Sequence, residues 1–405
     1  MATVISNIKG QVVKNRAFSI LLTGNFLLSI GNKIYEIVLP LMIYELTRSS
    51  IAMGSMRTAE LLPNFFFAIF IGVLVDRFKK KKWVLWMIGS QSVLLLILFI
   101  LFKSGSNLLP LYYFLGFLLM TVNYGYFNAQ MSLTKLVVPT NMLTSANAKF
   151  SFAETFVGIM GPALTGLILM MAHIYYGIII TAFLYLFCFF LFARLNVDEN
   201  IKGTDKKSFL LELKEGWLAF QSNRLLRLMT IFVVFLNSTM IVINTSVIFL
   251  AKDEWNISST SLALVLATAG IGGLLASTII SWLRIKIRLG VLFGMSMIIN
   301  ALSYIGMATA NHVSILLIAL FINGMAATVY TVCAYTFRHE QTPAHLMGRI
   351  NGITGTLFRI GMPISTFLAG YMMDWWGTIS VFLSAAILNI FIFLIYLKTT
   401  LWKIS

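Results

Sequence analysis

Charged and amide side chains set inside long apolar runs are the groups in this sequence that can do chemistry. In the first run Asn25, Ser29, Asn32 and Glu36 recur at intervals of four, three and four residues, so they share one face of a helix. Lys33 borders that stripe. It precedes Glu36 by three residues, as Arg57 precedes Glu60, and at that spacing a cation and a carboxylate pair within one helix. Glu36 lies nine residues inside Glu45, and Glu60 nine inside Ile51. At ~1.5 Å per residue both acids stand roughly 13 Å from one membrane surface, close to the midplane. Two readings stay open. A carboxyl at that depth can exchange protons near neutral pH and hold a cationic substrate. Alternatively, two neutralised pairs hold helices in register. Glu154 and Arg359 lack an oppositely charged residue one turn away. Arg359 is ten residues inside Arg349, again near mid-membrane, and an ion pair between Glu154 and Arg359 fits their depth. Asn237, Asn244, Asn300 and Asn323 add uncharged polarity, for which helix-to-helix hydrogen bonding is the ordinary use.

The elements that carry these residues follow from composition. Of 405 residues, 59% are hydrophobic and 11% charged, more apolar surface than a soluble domain can hide. The chain reads as a polytopic membrane protein. Net charge is +16, from 30 Lys and Arg against 14 Asp and Glu. In a soluble chain that excess would suggest nucleic acid. Here cations fixing topology against an anionic leaflet explain it, and no nucleic-acid partner is expected. Twelve spans are placed near 17–44, 51–75, 83–102, 108–134, 147–170 and 174–195, then 225–250, 260–283, 287–309, 313–336, 348–372 and 377–398. Cations collect in alternate loops, while the other side receives little beyond Arg48, Lys103 and Lys252. Both termini are therefore expected in the cytoplasm. The basic stretch Met1–Arg16 leads into a run too long for a signal peptide, which reads as an uncleaved first span. Cys188 and Cys333 lie in apolar runs and support neither a disulfide framework nor a thiol metal site.

A polar connector over 196–224 separates an N-terminal six-helix bundle, 1–195, from a C-terminal one, 225–405. Its second part, Ser208–Phe220, sets Leu210, Leu213, Trp217 and Phe220 on one helical face, the pattern of a helix lying along a membrane surface. The halves echo one another. Asn15-Arg16 opens the first span as Asn223-Arg224 opens the seventh, and Arg284-Ile-Lys286-Ile-Arg288 is a weaker counterpart of the basic turn at Arg77–Lys82. Gly161, Pro162, Gly166 and Gly177 are matched in the eleventh span by Gly361, Pro363, Gly370 and Gly377. A parallel six-plus-six repeat accounts for these echoes, and that architecture places a substrate site between the halves.

Two stretches say more. In Gly72-Val-Leu74-Val-Asp76-Arg77-Phe-Lys79-Lys80-Lys81-Lys82 the cations anchor a turn on the cytoplasmic side. Gly72 permits close helix approach, and Asp76 can accept from N–H groups at a helix start or pair with a cation. In Gly158-Ile-Met-Gly161-Pro162-Ala-Leu-Thr-Gly166 the small residues make a packing seam, which Pro162 bends by removing a hydrogen bond. The first stretch resembles the loop between helices two and three of the major facilitator superfamily, with Gly72, Leu74, Asp76, Arg77, Lys80 and Lys81 on the pattern. Lys79 stands where that family has a second glycine, which implies a less tight turn. The second resembles a segment of the superfamily's drug–proton antiporters, with Gly158, Gly161, Pro162 and Gly166 in register. That resemblance implies export. Ala146-Asn147-Ala148, Glu215-Gly216 with Arg224, and Gly348-Arg349 are similar to the macrolide-efflux type. One departure matters: many relatives carry a buried arginine in the fourth span, whereas Leu115–Ser132 holds no charge. Proton coupling is then expected at Glu36, Glu60 or Glu154.

The expectation is an all-α major facilitator fold of twelve transmembrane helices in two six-helix bundles, a monomer in the bacterial plasma membrane. It would export amphipathic, drug-like compounds in exchange for protons by alternating access, a multidrug or macrolide resistance activity rather than an enzyme's. Its partners would be membrane lipids, the small substrate and protons, with no cofactor and no metal. A lipid-like or self-made metabolite is the alternative cargo, which 14% aromatic residues and 21 methionines suit. A non-transporting receptor or scaffold is the remote alternative. No phosphate-binding Gly-x-x-x-x-Gly-Lys-Ser/Thr loop occurs, and His339-Glu340 with His345 lacks His-Glu-x-x-His spacing.

Overall fold

In hydrocarbon every backbone polar group must be satisfied within the chain, so apolar runs of this length become helices. The computed structural model describes residues 16–139, 143–169, 171, 173–197, 199, 209–343 and 346–404, among which every regular element is helical. The first half comprises α1 (Arg16–Thr47), α2 (Ser50–Arg77), α3 (Lys80–Lys103), α4 (Leu109–Val137), α5 (Leu143–Leu169) and α6 (Tyr176–Ala193). The linker helix α7 (Phe209–Ser222) follows. The second half comprises α8 (Arg224–Phe249), α9 (Ser259–Lys286), α10 (Leu289–Ala308), α11 (Val313–Glu340), α12 (Met347–Leu357) and α13 (Met362–Leu397). Gly377, at φ 75° and ψ 167°, divides α13 into two helical segments, 362–376 and 378–397. Only a residue without Cβ takes that backbone without strain. The eleventh span is thus α12 plus 362–376, and the twelfth is 378–397. Eight of the described helical stretches are long and apolar enough to cross a membrane.

The expected twelve-span, all-α fold is what the structure shows, with one local difference. The eleventh span is broken. Residues 358–361 form a turn between α12 and α13, and Pro363, which has no N–H to give to a preceding carbonyl, sits in the first turn of the restarted helix. Asn237 on α8 donates its Nδ2 to the Phe358 carbonyl at 3.0 Å, and its Oδ1 accepts from the Tyr330 hydroxyl at 2.8 Å. The amide thereby replaces a partner that the interrupted helix cannot supply. The fifth span, despite Gly161-Pro162, continues through Leu143–Leu169 without a break. The two segments echo in sequence but not in backbone.

By contact the chain divides into two compact units, Met1–Met42 with Leu62–Asp205, and Ile43–Leu61 with Lys206–Ser405. Helices α1 and α2 each run from one unit into the other. In unit 1, α3 packs against α4 and α6, where the Trp83 indole donates to the Gly125 carbonyl at 3.0 Å and Ser92 to that of Ala182 at 2.9 Å. In unit 2, α11 packs against α9 and α10, and α13 against α8 and α10. The ring of Phe293 lies 5.5 Å from both Tyr330 and Tyr396 at the centre of that core.

Helix α7 docks on α12 rather than standing alone. Leu213 and Phe220 turn into the core of unit 2 as one face, but Trp217 does not join them and is 41% exposed. The cause is Gly216, around which the docking face is centred: a Cβ there would meet Arg349 Cβ at 2.8 Å. Leu210 contributes a side chain outside the described residues.

Candidate functional site

The polar stripe of α1 forms a network in unit 1. Lys33 Nζ stands 2.8 Å from Glu36 Oε2, and Asn32 Nδ2 donates to Glu36 Oε1 at 3.3 Å. The Asn32 oxygen accepts from Asn123 Nδ2 at 3.0 Å, which ties the stripe to α4. One helical turn further along α4, the Tyr126 hydroxyl donates to Asn25 Oδ1 at 3.4 Å. Asn25 and Ser29 are buried, whereas the Glu36 side chain keeps 13% of its surface open and that of Lys33 37%. A charge drawn largely out of water is tolerated when paired and hydrogen-bonded, and Glu36 is both. Gly161 on α5 lies against the Lys33 stem, where a Cβ would be 2.9 Å from Lys33 Cβ and Cγ. One residue of the antiporter-type segment therefore positions the cation that holds Glu36. Gly158 faces open space, and the surroundings of Pro162 and Gly166 lie outside the described residues.

Arg57 and Glu60 also pair, Nη1 to Oε2 at 2.8 Å, but they belong by contact to unit 2, and Glu60 is 0% exposed. The two acids expected at one depth thus sit in different surroundings. Glu36 is reachable and Glu60 is not. Glu154 is exposed on α5 in unit 1, and Arg359 is exposed in the 358–361 turn of unit 2. Of the asparagines singled out in the second half, Asn323 Nδ2 donates to Asn300 Oδ1 at 2.9 Å and Asn237 holds the broken span, while Asn244 is exposed.

The basic turn is shorter than its missing glycine implied. Phe78 and Lys79 alone join α2 to α3, and Lys79 is extended at φ −61° and ψ 119°, a backbone any residue adopts. Arg288 precedes α10 at φ −60° and ψ 146°, so the echo between the two basic turns is geometric as well as sequential. The side chains of Gly72's neighbours Leu74, Asp76 and Arg77 lie outside the described residues, and so does any contact of Gly72. A carboxylate does sit at the start of α3, but it is Glu199, accepting from the backbone N–H of Lys80 at 2.6 Å and of Lys81 at 2.7 Å. The two lysine side chains reach carbonyls instead, Lys80 that of Val75 at 2.6 Å and Lys81 that of Ala193 at 2.9 Å.

Sequence reasoning missed a seam in unit 2. Ser50, Gly54 and Thr58, one turn apart on α2, face Pro363, Thr366 and Gly370 of the eleventh span. Ser50 Oγ donates to the Gly370 carbonyl at 2.9 Å, and the Thr58 hydroxyl meets that of Thr366 at 3.1 Å and the Pro363 carbonyl at 3.2 Å. A Cβ on Gly54 would stand 2.9 Å from the Thr366 carbonyl oxygen and 3.1 Å from Gly370 Cα. The signal was a small-xxx-small spacing that lets backbones touch. Beside the seam the Tyr44 hydroxyl donates to Asp253 at 2.5 Å, and Arg48, at φ 52°, stacks over the Tyr44 ring. Among the described residues no three acids, histidines or cysteines gather as a metal site, and Glu340 is paired with Arg284.

The Major Facilitator Superfamily model matches residues 21–252 and 228–401. The chain belongs to that superfamily. It is therefore a multi-pass membrane transporter. The nucleoside transporter NupG superposes with TM-score 0.74 at 14% identity, covering 95% of this chain and 100% of that one. A bacterial homologue of the iron transporter ferroportin, in an inward-facing state, gives 0.70 at 14% identity over 95% and 99%. The POT family transporter PepTSo gives 0.69 at 12% over 95% and 97%. At these identities the likeness shows the fold alone. No curated protein matches this sequence.

Proposed function

We propose that this transporter exports amphipathic, drug-like compounds across the bacterial plasma membrane in exchange for protons, by alternating access, with Glu36 as the coupling carboxyl. The observation that carries the reading is the difference between the two mid-span acids. Glu36 is held by Lys33 and Asn32 yet keeps an open edge, while Glu60 is sealed against Arg57. As a carboxylate, Glu36 accepts from both neighbours. Protonated, it keeps one acceptor oxygen and turns the other into a donor, so the Lys33 pair weakens and Asn32 must readjust. Asn32 passes that readjustment to α4 through Asn123. A cationic substrate competes with Lys33 for the same carboxylate, and proton uptake from outside releases it. The α2 seam, whose partners are backbone carbonyls and hydroxyls, supplies contacts that can part and re-form without exposing a charge.

The test is Glu36→Gln in proteoliposomes with an imposed pH gradient. This variant keeps the shape and, like the protonated acid, one acceptor oxygen beside a donor, but cannot ionise. Gradient-driven transport should be lost, binding of a neutral substrate should persist, and binding of a cationic one should weaken. Glu60→Gln serves as the comparison, and coupled pumping by Glu36→Gln would refute the assignment.

A further inference from the structure

Helix α7, at 14 residues, is too short to cross a membrane, yet it turns leucines outward. Its inner face is accounted for. Gly216 touches α12 at Arg349 and Ile353, Phe220 is buried, and Glu215 clasps Arg349 Nη1 at 2.6 Å. On the opposite side Leu211, Lys214 and Leu218 follow one another at i, i+3 and i+7, with the leucines 59% and 53% exposed. Trp217 flanks this stripe, its ring 5.6 Å from that of Phe220. Exposed cations accompany it: Lys214 within the stripe, and Arg224 and Arg227 at the start of α8. Glu215, the acid whose surroundings are described in this helix, is turned away to Arg349.

We propose that this stripe seats in the headgroup layer of the cytoplasmic leaflet, with anionic phospholipids as its partner. Leu211, Leu218 and Trp217 would lie among the first acyl carbons, and Lys214, Arg224 and Arg227 against lipid phosphates. An aromatic ring beside the two leucines suits that boundary, where one edge is apolar and the other wet. The cations select negative lipids over neutral ones. A second copy of this chain is a poor occupant, because a protein of net charge +16 has no acidic surplus to offer three cations. Through Gly216 and the Glu215–Arg349 pair the lipid contact reaches α12, the first part of the broken eleventh span. Lipid composition then bears on the segment that carries Arg359.

The experiment uses the full-length protein in vesicles, with Cys188 and Cys333 replaced by alanine and Leu218→Cys carrying an environment-sensitive fluorophore. Both native cysteines are buried, and a wild-type melting curve verifies the background. The emission should be blue-shifted and quenched by lipids brominated near the headgroup, while aqueous iodide quenches several-fold less than at a label on Arg288→Cys. Adding Lys214→Glu should raise iodide quenching in phosphatidylglycerol vesicles and leave it unchanged in phosphatidylcholine. Free quenching by iodide would mean that the stripe faces water, and protection from both quenchers would mean that a protein covers it. Either result overturns the proposal. An equal response in the two lipids would overturn the anionic partner.

Discussion

The seam between α2 and the eleventh span makes a quantitative test of alternating access at Gly54. A Cβ there would lie 2.9 Å from the Thr366 carbonyl oxygen, 3.1 Å from Gly370 Cα and 3.4 Å from Gly370 N. All three are backbone atoms, so no rotamer change makes room. Alanine forces the helices apart by about 0.5 Å to reach ordinary van der Waals contact, and valine by about 2 Å. The Ser50 bond to Gly370 is 2.9 Å, the Thr58–Thr366 bond 3.1 Å and the Thr58–Pro363 bond 3.2 Å. The smaller shift leaves these marginal, and the larger breaks all three.

At ~0.5–1.5 kcal/mol net per hydrogen bond, Gly54→Val costs the closed seam about 2–4 kcal/mol. That moves an equilibrium between closed and open seam by roughly 30- to 700-fold. The assay is oxidative cross-linking of Thr58→Cys with Thr366→Cys, whose sulfurs would occupy the positions of two hydroxyls 3.1 Å apart. In that background the two Thr58 bonds are already gone and the Ser50 bond to Gly370 is the one left to lose, so cross-linking should fall about 2- to 12-fold in Gly54→Val, fall less in Gly54→Ala, and track the loss of transport in each. Well-folded Gly54→Val that cross-links and transports like its parent would refute both the packing argument and the gating role.

Two further outcomes follow from geometry. Gly161→Ala meets Lys33 Cβ, which cannot swing aside, so it should cost about 1–3 kcal/mol and slow transport, whereas Gly158→Ala enters open space and should be silent; equal effects on thermal unfolding and transport would contradict the assigned contacts. Glu199→Gln removes a charge from the start of α3, so the Lys80 and Lys81 amides should exchange hydrogen roughly 5-fold faster, for a loss of about 1 kcal/mol; unchanged exchange would show that Glu199 does not cap the helix.

Much of this was legible in the sequence because lipid makes rules that water does not. Twelve apolar runs had to be helices, and their placed limits differ from the observed ones by a few residues, as for 17–44 against Arg16–Thr47. Pairing at i,i+3 was legible because it is local, and both Lys33–Glu36 and Arg57–Glu60 form. What escaped was non-local. Asn123 carries no charge and so does not stand out in the fourth span, although Asn123, Tyr126, Gln130 and Thr134 make a buried polar stripe there. The capping of α3 by Glu199 joins residues more than a hundred positions apart, and no local pattern announces it. Glu215-Gly216 and Gly348-Arg349 are separate features of the sequence, and the structure shows Glu215, Gly216 and Arg349 to be one contact.

The two units treat mid-span polarity in ways that bear on where coupling can reside. In unit 2 the interhelical bonds of Asn237, Asn300, Asn323 and Asn389 run among amides, hydroxyls and carbonyls, none of which changes protonation in the physiological range. Such bonds are fixed by geometry and resist desolvation cheaply, which suits a span that must keep a break at 358–361. In unit 1 the corresponding network ends in a carboxylate and an ammonium, whose bonds depend on a proton. If Glu36 is the coupling carboxyl, as proposed, a pH change would act on α1 and, through Asn32 and Asn123, on α4, while leaving the amide networks of the other unit unaltered. The Arg57–Glu60 pair does not restore the balance, because a sealed pair exchanges protons only after its surroundings open. The asymmetry predicts that alanine at Asn123 should shift the pH dependence of transport, whereas alanine at Asn323 should lower stability and leave that dependence in place. Identical pH profiles for the two variants would remove the case for coupling through α1.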